Sequence, residues 1–107
     1  MADQNFFPED NRFWIDLHKC ATGEVTYILQ ARIKECYRYG IRNLEIIYGT
    51  PDEYQGSIEQ AVDKILSEDL NIQRKEKIHA GIFVTIRENP TPTAGDPCCF
   101  DSDLWHQ

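Results

Sequence analysis

The chain has 107 residues, which is enough for one domain with a modest hydrophobic core. It is 41% hydrophobic and 27% charged, as is usual for a globular protein, and contains no apolar run of the ~18 residues that a membrane span needs. A formal net charge of -7 disfavours non-specific adhesion to a phosphate backbone, although a local basic patch is compatible with this charge.

The first half of the chain predicts a strand, a helix and a second strand. Residues 1–11 show no apolar period and are predicted to form an N-terminal arm. Apolar and polar residues alternate over residues 12–17, which predicts a strand. An apolar stripe at helical spacing follows between Thr22, which suits an N-cap, and Gly40, which suits a helix C-terminus. Residues 44–48 are nearly all apolar and predict an interior strand. A helix between two strands forms a right-handed crossover, so these strands should be parallel.

The second half predicts one more helix and two more strands. Ser57 opens the helix, and Gln60 completes a capping box. Residues 72–78 are polar on both faces, as is typical of a lysine-rich edge strand, although Arg74, Lys75 and Lys77 could also contact a nucleic-acid backbone if the hairpin projects. Residues 82–86 form the last apolar strand. The predicted fold is therefore a two-layer α/β sandwich in the order β-α-β-α-β-β, with a four-stranded mixed sheet and two helices. Residues 89–107 are predicted to form a Pro-rich acidic C-terminal tail.

Two of the predicted strands end in residues that suit a functional site. Asp16 and His18 close the first strand, and Tyr48 and Gly49 follow the second. Because the carboxyl ends of parallel strands meet at one edge of a sheet, we expect these residues to lie close together. A histidine can pass a proton either way near neutral pH, and a carboxylate can orient its ring or activate water, which is the chemistry of phosphodiester cleavage. In the structural alternative, Asp16 accepts backbone N–H bonds and His18 braces the turn.

Neighbouring residues suggest contacts with a nucleic acid. Tyr48 can stack on a base, a contact worth roughly 1–3 kcal/mol, or it can belong to the core or its rim. Gly49 and Gly56 would let a backbone approach a phosphate closely, although glycine ends many ordinary loops. Arg38 and Arg42 flank the end of the first helix and can contact phosphates, the alternative being a solvated helix face.

These residues resemble the small MutS-related (Smr) domain family over residues 12–88. The family opens with Leu-Asp-Leu-His-Gly at the end of its first strand, and here residues 15–19 read IDLHK. Its second motif, commonly His-Gly or Thr-Gly before a basic residue and a glycine, corresponds to residues 46–49, which read IIYG. The resemblance implies a fold similar to the C-terminal domain of bacterial translation initiation factor three. It also implies nucleic-acid binding, with DNA-nicking or RNA-cleaving activity in several members.

The resemblance assigns the candidate catalytic roles to Asp16 and His18. Together with the residue patterns it predicts nucleic-acid contacts for Lys19, Tyr48, Gly49, Thr50, Gly56, Arg38 and Arg42. The chain departs from the family where Lys19 replaces a glycine and where residues 50–51, Thr-Pro, replace a basic residue and a glycine. Residues 52–53 then add two negative charges, so a phosphate held there would meet carboxylates instead of a cation. We therefore expect a weak or degenerate endonuclease.

The resulting prediction is an Smr-type nucleic-acid-binding domain whose partner is DNA or RNA. The alternative is a catalytically inactive protein-interaction module, in which Phe100, Leu104 and Trp105 of the tail recruit a protein partner. The cysteines, Cys98 and Cys99 among them, lack the spacing of a paired zinc motif, so no metal site is predicted, and no cofactor is indicated. Because the N-terminus lacks the basic flank and apolar core of a signal peptide, we expect a cytoplasmic location. We also expect a monomer that does not associate with a membrane.

Overall fold

The computed structural model describes residues 3–17, 20–49 and 57–94 of the chain. Within these ranges the strands and helices follow one another as β1 (Asp3–Phe7), β2 (Arg12–Asp16), α1 (Thr22–Tyr39), β3 (Asn43–Ile47), α2 (Ser57–Glu68), β4 (Ile72–Ile78) and β5 (Gly81–Ile86), with a short 3-10 helix at Pro8–Asp10.

The five strands form one mixed sheet in the order β1-β2-β3-β5-β4. β2 and β3 are parallel and α1 crosses between them, whereas β5 is antiparallel to both β3 and β4. Alternate residues of β2 and β3 are buried and the residues between them are only partly buried, so both helices cover one face of the sheet. The predicted α/β class, with two helices and a mixed sheet in two layers, agrees with this arrangement.

The prediction of a four-stranded sheet is wrong by one strand, because β1 pairs antiparallel with β2. Residues 1–11 looked like an arm because β1 has only one apolar residue on each face, too few to reveal a period of two. Phe6 packs on the core, and its ring centroid lies 6.4 Å from that of Phe13. Phe7 faces the other side of the sheet, where the Arg12 guanidinium lies 4.3 Å from its ring centroid. Tertiary pairing therefore decided this strand.

The hydrophobic core lies between the sheet and the two helices. Its sheet side consists of alternate residues of β2, β3 and β5, all at most 5% exposed: Phe13, Ile15, Leu44, Ile46, Ile82, Val84 and Ile86. Its helix side consists of apolar residues at helical spacing: Val25, Leu29, Ile33, Val62, Ile65 and Leu66. Each fully buried aliphatic side chain of this kind contributes about 1.5–3 kcal/mol to the hydrophobic free energy of folding, so these residues dominate the stability of the domain.

The N-terminus of α1 differs slightly from the prediction, whereas its C-terminus matches the prediction. Ala21, not Thr22, is the N-cap residue, and the Glu24 carboxylate accepts a hydrogen bond from the Ala21 N–H at 3.0 Å. Gly40 ends the helix in the left-handed conformation, with φ 75°, and its N–H points back to the last carbonyl groups of α1. A glycine there avoids the steric cost that a Cβ would meet.

The start of the predicted tail lies against the end of α1. The side-chain amide of Asn89 donates to the Tyr37 carbonyl at 3.0 Å, and the Thr93 N–H donates to the Arg38 carbonyl at 2.7 Å. Residues 95–107 lie outside the described part of the chain. None of the helices that the structure describes is both long and apolar enough to cross a membrane.

Candidate functional site

The first and second motifs meet at one edge of the sheet. Asp16 ends β2 and pairs in parallel register with Ile47, which ends β3. Just beyond them the Leu17 N–H donates to the Ile47 carbonyl at 2.6 Å. We call this end of β2 and β3 the carboxyl edge. The predicted juxtaposition of the two strand ends is therefore present.

Asp16 lies on the face of the sheet that the helices leave uncovered. Its neighbours Ile15 and Leu17 are fully buried on the opposite, helix-covered face, whereas Asp16 itself is only partly buried. A carboxylate in this position is accessible to solvent at the carboxyl edge. His18, Lys19, Thr50 and Gly56, and with them the loop residues 51–55, lie outside the described residues.

Tyr48 lies in the core and not on the surface. Its side chain is on the same face as Leu44 and Ile46, as the alternation of β3 requires, and it is 3% exposed. Its hydroxyl group lies 3.3 Å from Oε2 of Glu59 and 3.3 Å from the Gly81 carbonyl oxygen. A ring buried in this way has no face available for stacking on a base, so the core alternative describes Tyr48 and the stacking role does not.

Gly49 forms a turn that contacts the loop between β4 and β5. The Tyr48 and Gly49 N–H groups donate to the same acceptor, the Ala80 carbonyl, at 2.9 and 3.0 Å. Gly49 has φ 105°, a conformation that residues with a Cβ rarely adopt. Gly81 fits against the backbone at Ile46 so closely that a Cβ would overlap the Ile46 carbonyl oxygen. The second motif therefore has a fixed backbone on its β3 side.

Three residues near this edge were not among the predicted site residues. Glu59 lies in the first turn of α2, and its Oε2 lies 2.8 Å from Nζ of Lys77, near the end of β4. His79 is exposed and precedes Ala80 in the β4–β5 turn. The signal that could have found Lys77 is the position of β4 in the sheet, because a strand beside β5 ends at the same edge as β3. The charges of β4 alone favoured an edge strand and left contact with a nucleic-acid backbone as the alternative.

Arg38 and Arg42 lie at the other end of the sheet. α1 begins beyond the end of β2 and ends before the start of β3, so its last turn is far from the carboxyl edge. The separation is about the length of β3, roughly 16 Å at about 3.3 Å per residue. Nε of Arg42 donates to the Ile86 carbonyl at 2.7 Å, and Arg38 lies 3.8 Å from the Glu35 carboxylate. The structure thus separates these two arginines from Asp16 and Gly49.

Cys36, on the core side of α1, has a clearly shifted pKa. Burial raises the pKa of its thiol from 9.0 to about 12, the positive charge of Arg32 lowers it, and the Glu35 carboxylate raises it. A thiol with this pKa is protonated at neutral pH and chemically inert, which fits a core residue. In the part of the chain that the structure describes, no three histidine, cysteine or acidic side chains are grouped in a way that could hold a metal ion.

A comparison with protein families gives a match for the part of the chain that contains both motifs. The family model described as Smr domain matches residues 15–81, which is more than half of the chain. No curated protein and no solved structure matches it. The Smr domain is known for nucleic-acid binding and nuclease activity. The chain therefore belongs to the Smr domain family.

Proposed function

We propose that this Smr domain binds DNA or RNA at the carboxyl edge and cleaves it weakly, with Asp16 and His18 as the catalytic residues. The parallel pairing of Asp16 with Ile47 is the observation that carries the proposal. It brings Asp16 of the first motif beside the backbone turn of the second, and a nucleic-acid strand lying along this edge would contact both. The family match over residues 15–81 supports the same site.

Phosphodiester cleavage needs a group that activates the attacking oxygen and a group that protonates the leaving oxygen. An imidazole can do either, and a nearby carboxylate can orient it or activate water. In this proposal His18 transfers the proton, and Asp16, solvent-accessible on the uncovered face, orients the imidazole or the water. The backbone at Gly49 and Gly56 approaches the phosphate, because neither residue has a side chain that would hold it away.

The charge of the chain explains why the activity is proposed to be weak. The second-motif loop carries Asp52 and Glu53 and no basic residue, and the whole chain has a net charge of -7. Phosphate contacts supply most of the affinity of non-specific nucleic-acid binding, and their strength falls steeply as the salt concentration rises. We therefore expect weak binding that is detectable at low salt and lost at moderate salt.

Cleavage of labelled substrates tests the catalytic part of the proposal. The purified chain is incubated at low salt with single-stranded, duplex and branched DNA and RNA, with Mg²⁺ or with a chelator. His18→Ala should lower the cleavage rate by at least about 100-fold, the usual contribution of a general acid or base, and Asp16→Asn should also lower it. The matched control is His106→Ala, which removes the same side chain from the tail and should leave the rate unchanged.

The same experiment can contradict the assignment of His18 and Asp16 as catalytic residues. Cleavage that persists unchanged in both His18→Ala and Asp16→Asn would come from a contaminating nuclease, and the catalytic assignment would be wrong.

Binding is tested separately by NMR shifts of the labelled protein with short DNA and RNA oligonucleotides. Shifts at residues 16–20 and 48–56 are expected, and no shift with any oligonucleotide at low salt would contradict nucleic-acid binding altogether.

A non-enzymatic alternative is favoured by the composition of the chain. The net charge of -7 and the apolar tail residues Phe100, Leu104 and Trp105 suit a module that recruits a protein. The full chain and a chain without residues 95–107 are compared for capture of a partner from an extract. Capture that requires the tail, together with an absence of oligonucleotide-induced shifts, would favour this alternative over the proposed function.

A further inference from the structure

We propose that Lys77 and His79 bind the phosphate backbone of the nucleic acid at the carboxyl edge and supply the cation that the second-motif loop lacks. The proposal rests on the proposed function and names residues of the same site. Neither side chain belongs to the two motifs, and both come from the hairpin of β4 and β5. Their position beside the second motif follows from contacts that the structure describes.

The β4–β5 turn contacts the second motif directly. The Ala80 carbonyl accepts hydrogen bonds from both Tyr48 and Gly49, at 2.9 and 3.0 Å. His79 precedes Ala80 and is exposed, so its imidazole lies on a turn that is bonded directly to the motif. A histidine ring offers at least one N–H donor to a phosphate oxygen whether it is neutral or protonated.

The Lys77 ammonium group lies beside the first turn of α2. Nζ of Lys77 lies 2.8 Å from Oε2 of Glu59, and Glu59 lies in the first turn of α2. Because α2 follows the second-motif loop, Lys77 holds a positive charge at the far end of this loop while His79 lies near its beginning at Gly49. The two side chains therefore lie near the two described ends of this loop, whose sequence carries two carboxylates and no basic residue.

The ion pair between Lys77 and Glu59 is weak enough for Lys77 to leave it for a phosphate. Its side chain is 67% exposed, whereas that of Glu59 is 21% exposed. An ion pair in which one partner is largely solvated is weak, because water and salt screen the charges and the long side chain loses freedom in the pair. A backbone phosphodiester carries one negative charge, as a carboxylate does, but a nucleic-acid strand presents a row of such charges, and an ammonium group binds each phosphate as a point charge. We therefore expect Lys77 to exchange Glu59 for a phosphate oxygen.

A nucleic acid that runs along the carboxyl edge from Asp16 reaches the β4–β5 turn. Asp16, Ile47 and Gly81 lie side by side in register on β2, β3 and β5. Two strand spacings separate Asp16 from Gly81, roughly 10 Å, which about three stacked nucleotides span at about 3.4 Å each. A strand whose reacting phosphate lies at Asp16 therefore has a neighbouring phosphate within reach of the β4–β5 turn.

Equilibrium binding of the full chain to a fluorescent single-stranded oligonucleotide, measured over a series of salt concentrations, tests this proposal. Lys77→Gln and His79→Gln should each weaken binding about 5-fold at low salt, and Lys77→Gln should lower the salt slope by about 0.7, the value for one contact with a single strand. Glu59→Gln should tighten binding about 3-fold, since it removes the carboxylate that competes with the phosphate for Lys77.

Lys75→Gln is the matched control. Lys75 lies on the same face of β4 as Lys77, carries the same charge, and donates to Ser67 Oγ at 3.1 Å, about 7 Å further from the carboxyl edge. It should change affinity less than twofold. If Lys77→Gln and His79→Gln stay within twofold of Lys75→Gln while the unchanged protein binds, the proposal is wrong and the proposed function stands. If the unchanged protein does not bind at low salt, both are wrong.

Discussion

The hydroxyl group of Tyr48 and the carboxylate of Glu59 lie 3.3 Å apart and connect the end of β3 to the first turn of α2. The same hydroxyl lies 3.3 Å from the Gly81 carbonyl oxygen, and the same carboxylate oxygen contacts Lys77. β3, β4, β5 and α2 are thus joined by polar contacts beside the carboxyl edge. Both ends of the second-motif loop are therefore attached to the rest of the domain, although its own sequence contains few apolar residues.

Removing the Tyr48 hydroxyl tests this connection. Tyr48→Phe keeps the buried ring and loses the polar contacts to Glu59 and Gly81, so it should lower the free energy of unfolding by about 1 kcal/mol. Tyr27→Phe is the control, because Tyr27 is 56% exposed on α1; its effect should be within about 0.5 kcal/mol. Urea denaturation measures both. Equal effects of the two changes would contradict a structural role for the Tyr48 hydroxyl.

The close approach of Gly81 to β3 makes a strong prediction for stability. An added Cβ would overlap the Ile46 carbonyl oxygen and lie 2.9 Å from the Ile47 Cα, both of them backbone atoms that cannot move without disrupting the sheet. Gly81→Ala should therefore destabilise the domain by about 3 kcal/mol or more.

Gly23→Ala provides a contrast within the same chain. Gly23 lies in the first turn of α1, and a Cβ built there meets no atom within 4 Å. Because alanine favours the helix and restricts the unfolded chain, this change should stabilise the protein by about 0.5–1 kcal/mol. Thermal and urea unfolding of both variants provide the measurement. A destabilising Gly23→Ala together with a neutral Gly81→Ala would contradict the described packing.

The buried thiol of Cys36 predicts a pH dependence of stability. Burial raises the pKa of this thiol from 9.0 to about 12, so the folded protein keeps a proton that the unfolded chain releases above pH 9. Stability should therefore be unaffected by this group below pH 9 and should fall as the pH rises towards 12. The slope is at most about 1.4 kcal/mol per pH unit.

Comparison with Cys36→Ala isolates the contribution of this one group. All other groups that titrate at alkaline pH are present in both proteins, so they cancel in the difference between the two unfolding free energies. The difference should be constant up to pH 9 and should shrink between pH 9 and 11, because only the parent loses stability through the Cys36 thiol. A difference that stays constant over the whole range would contradict the raised pKa.

The location of Arg38 predicts a small effect on nucleic-acid binding. Arg38 lies in the last turn of α1, at the end of the domain opposite to the carboxyl edge. Arg38→Gln should weaken oligonucleotide binding by less than twofold, whereas Lys77→Gln should weaken it about 5-fold, since only Lys77 lies beside the second motif. The same fluorescence titration measures both. A larger loss for Arg38→Gln would mean that the nucleic acid runs along α1 to its far end.

Much of the fold was readable from local patterns. The apolar stripes of α1 and α2, the alternation in β2, and the polar sequence of β4 each reflect a period that one element imposes on its own residues. β1 could not be read in this way, because five residues with one apolar side chain per face are too few to show a period. The pairing of β1 with β2 supplies the missing information, and a pairing partner is not a property of the short segment itself.

The candidate site likewise has features that local sequence patterns predicted and features that only tertiary contacts decided. The residue types of the first motif, and the crossover that makes β2 and β3 parallel, were sufficient to bring Asp16 beside the second motif. Tyr48 was left open between surface and core, and only packing against Glu59 and Gly81 decided for the core. His79 was overlooked, and Lys77 was left open between edge protection and backbone contact, because both lie on a hairpin that joins the carboxyl edge through the strand order of the sheet.

The amino-acid sequence by itself determined the family, the helices, the parallel pair of strands and the identity of Asp16 and His18 as the candidate reacting groups. The helices and strands follow from the spacing between residues close in the chain, and the family follows from the resemblance of its two motifs to residues 15–19 and 46–49. Only the tertiary structure decided the fifth strand, the burial of Tyr48, the separation of Arg38 and Arg42 from the carboxyl edge and the contact of Lys77 with Glu59. These depend on which distant segments lie side by side, and that is set by the simultaneous burial of apolar surface from all elements.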